Sequence, residues 1–590
     1  MNKKHDFRIE TGIYLLAFLA AVATRFIHLG NNPLNDAEAH LALQSLAASR
    51  GESTLLTDQP LLVLLNTVLF FVFGSNNFTA RLFPAILGSL LVLSPILFRN
   101  YLGKAPAVLL AFAMAFDPGL VAVSRQLDGS GMSLVLFIVT IGLILNRRAA
   151  LAGICLGLAL LSGSSFWMGI TILLIVVVLQ KWLLSKTEAD ETQKLDDVGQ
   201  FWQLDQAFLK TLGIWCTGTF FVIGTLFLLV PNGISSSMNG LIHFVQGWGT
   251  PSGVRIQELL ICLLAYCFFP LALAFWRGFT GLRSMRQVDR IAIVWFAAAV
   301  LINLVYPGRQ FNDLIWAVIP IWVLACRQIV MLAPSEFEED EFWYTLGLGI
   351  FIFLVLCFVL FNSLTLLNQY MDTQAFQIRM IAAIGGLVII LLSAILARWG
   401  WSEAIASFGL AWSLSAFLFV SMLGITWTSL NHQKTRGMEM WTKAPAIGEA
   451  DLLLTTISDV SEWSKGDRTV IDIALLQQES PALKWLLRNF QNTSDYPGSL
   501  PVGREPSLVI TDSQSMVQLG ASYTGQDFNW QIHPAWQLYT TQEWLSWLIY
   551  RKAPVQNQSI ILWVRSDLFP GDMNTVSEVT PDPLFMGESE

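Results

Sequence analysis

The chain has 590 residues, 54% of them hydrophobic and only 13% charged, with a mean hydropathy of +0.55. These proportions exclude a water-soluble globular protein and point to many membrane-crossing helices. A net charge of −8 with no basic patch gives no support for nucleic acid as a partner, and none is expected.

Lys3, Lys4 and Arg8 precede the first apolar run (11–28), which favours a cytoplasmic N-terminus. Arg25 interrupts the end of that run and no small-residue cleavage site follows it, so it reads as a retained span. The polar stretch 29–60 is then the first outer loop and carries Asp36, Glu38, His40 and Arg50. Run 61–73 is short for a hydrocarbon layer of roughly 30 Å and closes on Gly74-Ser75-Asn76-Asn77, so it reads as interfacial or re-entrant. With 61–73 not crossing, spans at 82–98, 105–118 and 131–146 leave Arg99, Lys104, Arg147 and Arg148 inside. The loop holding Arg125 and Asp128 falls outside, and one extra crossing would invert the whole assignment.

Two short spans (149–162 and 165–183) lead to a polar inner loop between Lys181, Lys186 and Lys210. After span 211–230 comes an outer loop with His243, Trp248 and Arg255. The next span ends at Arg277, with Arg283, Arg286 and Arg290 inside; 291–306 then emerges at Tyr306-Pro307-Gly308-Arg309. Span 312–331 returns past Arg327 to an acidic run, Glu336 to Glu341, and spans 343–361, 380–397 and 405–427 follow.

Beyond about 430 the composition turns polar, with strand-like runs at 468–474, 507–511 and 559–565 and a helical pattern at 481–490 that opens on Pro481. Strand, helix, strand suggests a small α/β domain. Its tryptophans (Trp530, Trp536, Trp544, Trp547 and Trp563) suit a domain core, the other reading being a belt at the membrane interface. The six cysteines all lie in apolar segments and read as small core residues. The expected architecture is an α-helical polytopic membrane protein with about 13 transmembrane helices (1–429) and a C-terminal extracytoplasmic α/β domain (430–590), in the plasma membrane.

The outer-side set Asp36, Glu38, His40, Arg50, Arg125, Asp128, His243, Arg255 and Arg309 carries the chemistry. A carboxylate open to water beside an apolar wall can serve as general base for a hydroxyl. A carboxylate pair such as Asp36 and Glu38 can also hold a divalent metal that neutralises a phosphate. The planar fork of arginine suits phosphate. Acids and arginines on one face therefore fit a phosphate-linked substrate anchored in the bilayer. Ordinary loop charges, with Arg50 and Arg255 snorkelling to headgroups, are the plain alternative.

In order and spacing the chain resembles the GT-C fold glycosyltransferases that use polyprenyl-phosphate sugars, such as protein O-mannosyltransferases and lipid A aminoarabinose transferases. The matching residues are Asp36-Ala37-Glu38-Ala39, Gln59-Pro60-Leu61 through Phe73-Gly74, Ala80-Arg81-Leu82-Phe83-Pro84, Ser124-Arg125 with Asp128, and Gly157-Leu158-Ala159-Leu160-Leu161-Ser162-Gly163. The chain departs from the pattern at Ala37, which splits the usual Asp-Glu pair, at Gln59 in place of a proline, and at Ser162 in place of a lysine. The resemblance implies inverting transfer of a sugar from a polyprenyl-phosphate donor to a glycan, lipid or protein acceptor. It implies a catalytic carboxylate in the first outer loop; the split pair leaves the register open between the two acids, and we take Asp36 as the base with Glu38 assisting through a metal or hydrogen bonds. Asp128 would place the acceptor or a cation, Arg125 and Arg309 would face the phosphate, and His40 and His243 would line the substrate site. A non-enzymatic protein that binds or helps transport a lipid-linked sugar would use the same pocket.

Overall fold

The computed structural model describes residues 2–52, 55–187, 205–281, 285–332, 339–366, 373–430, 439–442, 444–515, 517–552 and 554–568. Most of the inner loop expected between Lys186 and Lys210 lies outside the described residues, as do Arg283, Glu336 and Glu338. The chain forms two compact units, Met1–Ala446 with Pro534–Val555, and Ile447–His533 with Gln556–Glu590.

The first unit is helical. Among the described residues ten helices are long and apolar enough to cross a membrane, or eleven if Lys104–Phe116 and Pro118–Ser124 form one span bent by 57°. The protein is therefore multi-pass. The expected count of thirteen is not reached, because Gly129–Leu145 and Ala149–Leu160 have only 17 and 12 residues. At about 1.5 Å per residue the shorter reaches only about 18 Å. Segment 61–73 forms a helix, Pro60–Phe73, that is likewise too short to count as a span.

Two buried arginines fasten the first turns of this unit by exchanging helix ends. Arg25, at the end of helix Asn2–Phe26, donates Nη2 to Met114 O (3.0 Å) and Nη1 to Ala115 O (3.4 Å). Arg125 answers with Nη1 on Thr24 O, Arg25 O and Ile27 O at 3.1, 3.0 and 2.8 Å. Each guanidinium thus satisfies the open carbonyls of the other segment's helix end, where no backbone N–H is available. The break at Asp117 is a capped joint: its Oδ1 accepts Leu120 N (2.8 Å) and its Oδ2 accepts Trp322 Nε1 (2.8 Å).

The second unit is a mixed sheet with strands β1 (Ala446–Ile447), β2 (Asp472–Leu476), β3 (Asn492–Tyr496), β4 (Leu508–Asp512), β5 (Tyr523–Pro534) and β6 (Val555–Arg565). Its spatial order is β1-β5-β6-β4-β2-β3. β2 runs parallel to β3 and β4, while β4 pairs antiparallel with β6. β2 and β4 are buried along nearly their whole length, as expected of parallel strands covered on both faces. Helices Ala450–Lys465 and Pro481–Leu486 belong to this unit; in the latter Pro481 takes the first turn and Ser480 caps it. Trp530 lies buried in this unit, whereas Trp536, Trp544 and Trp547 belong to the membrane unit.

Candidate active site

The front loop is built on a capping box. Asn35 Oδ1 accepts Glu38 N (2.9 Å) while Glu38 Oε2 accepts Asn35 N (3.2 Å), which starts helix Asp36–Ser49. Helix Asn77–Leu91 brings Arg81 against Glu38, with Nε on Oε1 at 2.8 Å and Nη2 on Oε2 at 2.6 Å. Leu127 N adds a third donor to Oε1 (2.9 Å), and Arg81 also reaches Asn32 O (2.9 Å) and Pro33 O (3.1 Å). Both side chains are buried. Glu38 is thereby the hub that joins the loop to the second span and to the turn before Asp128. Asp36, two residues earlier, opens the helix and is only half-buried.

Asp128 caps helix Gly129–Leu145 and is buried. Its Oδ2 accepts Ser130 N (3.2 Å) and Asn312 Nδ2 (3.2 Å), and its Oδ1 accepts Gln59 Nε2 (3.3 Å). Gln59 Oε1 in turn accepts Gly129 N (2.8 Å). The residue that stands where the resembling family carries a proline therefore ties the start of helix Pro60–Phe73 to Asp128. Gly163, at φ +115°, makes room for this tie: a Cβ there would lie 2.9 Å from Gln59 Cγ.

A cavity of about 470 Å³ opens beside this network. Its wall includes Asp58, Ser130, Ser165, His243, Tyr306 and Asp313. Asp58 directly precedes Gln59, and the segment before it is held by Gln44, whose Oε1 accepts Thr57 N (3.1 Å). His40 Nε2 lies 2.9 Å from Gln44 Nε2, so His40 leans on the residue that places Thr57 and Asp58. Tyr306 stacks on Phe244 (5.3 Å) and donates its hydroxyl to Phe244 O (2.9 Å). Burial, with the Asp313 carboxylate adding to it, pushes the Tyr306 hydroxyl up to about 12, so it remains a protonated donor at neutral pH. Gly247 and Gly308 allow the rim to close, with Gly308 N on Gly247 O at 2.8 Å; a Cβ on Gly247 would collide with the Tyr306 hydroxyl.

Of the residues singled out from the sequence, His243 lines the cavity, and Asp128 stands behind it through Ser130. Arg309 sits between two lining residues, Gly308 and Gln310, with Nε on Val254 O (3.0 Å) and Nη1 on Leu304 O (2.7 Å). Arg125 is turned to the first helix end; burial, and then the charge of Arg81, pull its pKa down to about 10. Arg50 and Arg255 are exposed, the latter on Gln537 Oε1 at 2.9 Å. Among the described residues no three His, Cys, Asp or Glu side chains gather as metal ligands. The Asp36 and Glu38 pair does not fit a cation either, because Arg81 already neutralises Glu38 and takes both of its oxygens.

The sequence reading missed Asp58, Gln59, Arg81, Asn312 and Asp313. Gln59 and Arg81 stood inside recognised motifs but were not given roles. Asp58, one residue before the Gln59-Pro60 motif, was the accessible signal. Asn312 and Asp313, buried polar residues at the very start of an apolar run, were the other.

The chain is similar over 95% of its length to the crystal structure of ArnT from Cupriavidus metallidurans bound to undecaprenyl phosphate, covering 99% of that chain with a TM-score of 0.53 and 13% identity. A weaker likeness is to the Archaeoglobus fulgidus oligosaccharyltransferase in its apo form, with a TM-score of 0.45 and 13% identity over 85% of this chain and 69% of that one. No family model matches the chain, and no curated protein matches it in sequence. The match to ArnT runs nearly end to end and shows that this chain has the GT-C fold.

Proposed function

We propose that the protein is a membrane glycosyltransferase that moves a sugar from a polyprenyl-phosphate donor to an acceptor hydroxyl or amine on the outer face of the membrane, with inversion. The observation that carries this reading is the cavity, walled by acids, hydroxyls and an imidazole at the ends of apolar helices in a GT-C fold. Such a place lets the donor's tail stay in lipid while its head meets water-soluble chemistry.

A carboxylate, Asp36, takes the proton from the acceptor. The acceptor's oxygen or nitrogen attacks the anomeric carbon from the face opposite the phosphate. The bond from that carbon to the phosphate oxygen breaks, and polyprenyl phosphate leaves with the bonding pair. Arg309, which uses Nε and Nη1 on backbone carbonyls, would present the rest of its guanidinium to that phosphate. Asp128, held by three donors, would place the acceptor side through Ser130, while His243 and Asp58 line the sugar's path. The position of Glu38 supports a holding role, because its charge is spent on Arg81. Arg125, whose Nη1 is held by three helix-end carbonyls, serves the same purpose.

The test is turnover by purified protein in liposomes, using a panel of polyprenyl-phosphate sugars with the products read by mass spectrometry. Release of polyprenyl phosphate together with a glycoside of inverted anomeric configuration is the expected result. Binding of the lipid-linked sugar with no release would instead make the protein a carrier or accessory factor.

The sidedness has its own check. Single cysteines would replace Thr250, Ser513 and Arg148, all exposed, in a chain whose native cysteines have been changed. With an impermeant maleimide on intact cells, positions 250 and 513 should label and 148 should not. The reverse pattern would put the cavity on the cytoplasmic side.

A further inference from the structure

The segment Pro534–Val555 leaves the sheet and belongs to the helical unit. It carries helix Thr541–Tyr550, started by a capping box between Thr540 and Glu543 and ended by Arg551 in the left-handed region (φ 51°). Arg551 is buried between two aromatic faces, 4.7 Å from the Tyr266 ring centroid and 4.5 Å from that of Trp547. Tyr266 lies ten residues past Ile256 in the candidate span Ile256–Phe279, about 15 Å along it at the helical rise. A second anchor, from the Tyr550 hydroxyl to Leu364 O (2.5 Å), reaches another candidate span, Asp340–Leu366. Both anchors lie within the apolar lengths of spans, so the helix between them is level with the hydrocarbon or its border.

The composition of the helix fits that level. Trp547 is buried against the unit; Trp536 and Trp544 pack on it at 5.2 and 5.7 Å, and Tyr539 packs on those two at 5.2 Å. Thr541, Leu545 and Leu548 form one outward stripe at helical spacing, and the two leucines are 43% and 41% exposed. Leu264, two residues before Tyr266 on the neighbouring span, is 62% exposed. The helix thus carries an exposed apolar stripe beside a span that itself presents apolar side chains outward. Arg551 is hidden from lipid by Tyr266 and Trp547, with the buried Glu439, which accepts the Tyr266 hydroxyl, close by. Charges at membrane depth persist when shielded by aromatic faces in this way.

We propose that Pro534–Val555 is an interfacial helix that re-enters the membrane surface, with Leu545 and Leu548 buried among phospholipid acyl chains. It would act as a second membrane anchor for a chain whose last long span among the described residues ends at Ser429. The inference does not depend on the reaction.

The experiment uses the full-length chain with its native cysteines changed, and single cysteines at Leu545 or Leu548 labelled with an environment-sensitive fluorophore. The protein is placed in phosphatidylcholine and phosphatidylglycerol vesicles. Leu391→Cys, on a span, and Thr455→Cys, exposed on a helix of the sheet unit, are the lipid and water references. Expected is loss of fluorescence to acyl-chain nitroxide lipids, as at position 391, with no loss to aqueous iodide. Iodide quenching like that at position 455 would overturn the proposal. So would protection from both quenchers, since a second copy or another protein would then cover the stripe.

Discussion

Replacing Arg81 by methionine should cost about 3–5 kcal/mol of folding stability, because it leaves the Glu38 carboxylate buried without its counter-charge. Two hydrogen bonds of 2.8 and 2.6 Å disappear, and the carbonyls of Asn32 and Pro33 lose their donor. The remaining donors to Glu38, Asn35 N and Leu127 N, cannot neutralise it. The double variant Arg81→Met with Glu38→Gln should recover part of the loss, because it removes both charges. Glutamine still satisfies the capping box. The measurement is the thermal unfolding midpoint in detergent for the two single variants and the double variant. Equal midpoints for Arg81→Met and the unchanged chain would mean that the pair holds nothing.

Asp36→Asn should lower the transfer rate by about 10²–10⁴-fold, the usual contribution of a general base. Its structural cost should be small, at most the roughly 0.3–1 kcal/mol that a first-turn carboxylate contributes at a helix N-terminus. Asp36 is half-buried, and Asn35 rather than Asp36 caps the helix, so the amide variant should fold and bind the donor normally. Asp58→Asn is the informative companion, because Asp58 is the acid of the loop that lines the cavity. Full turnover with Asp36→Asn and loss with Asp58→Asn would move the base role to Asp58. Near-normal turnover in both would remove the carboxylate mechanism.

Much of the architecture was legible in the residues. Long uncharged runs can satisfy their backbone in lipid only as helices, so the multi-pass class follows from composition alone. The strand runs near 472, 508 and 560 sit where β2, β4 and β6 form, because β-branched and aromatic residues between turn signals leave few alternatives. Short apolar runs were less legible. Hydropathy counts Ala149–Leu160 as a span, but a dozen helical residues do not reach across a bilayer.

The site was legible as a neighbourhood and not as a set of contacts. The sequence by itself determined that acids, arginines and histidines collect at the ends of the apolar helices, since charges are expelled from hydrocarbon. Only the tertiary structure decided which of them are spent. Arg81 lies 43 residues from Glu38 and neutralises it, and Arg125 caps a helix end about a hundred residues away. Gln59 and Asn312 meet on Asp128 from 69 residues before it and 184 residues after it. Side-chain hydrogen bonds between distant segments leave no periodicity in the chain, so no local pattern could separate a carboxylate that holds the loop from one that faces the cavity. The same reason divides the tryptophans: Trp530 joins the sheet core, whereas Trp547 packs on Tyr266 in the membrane unit, a partner 281 residues earlier in the chain.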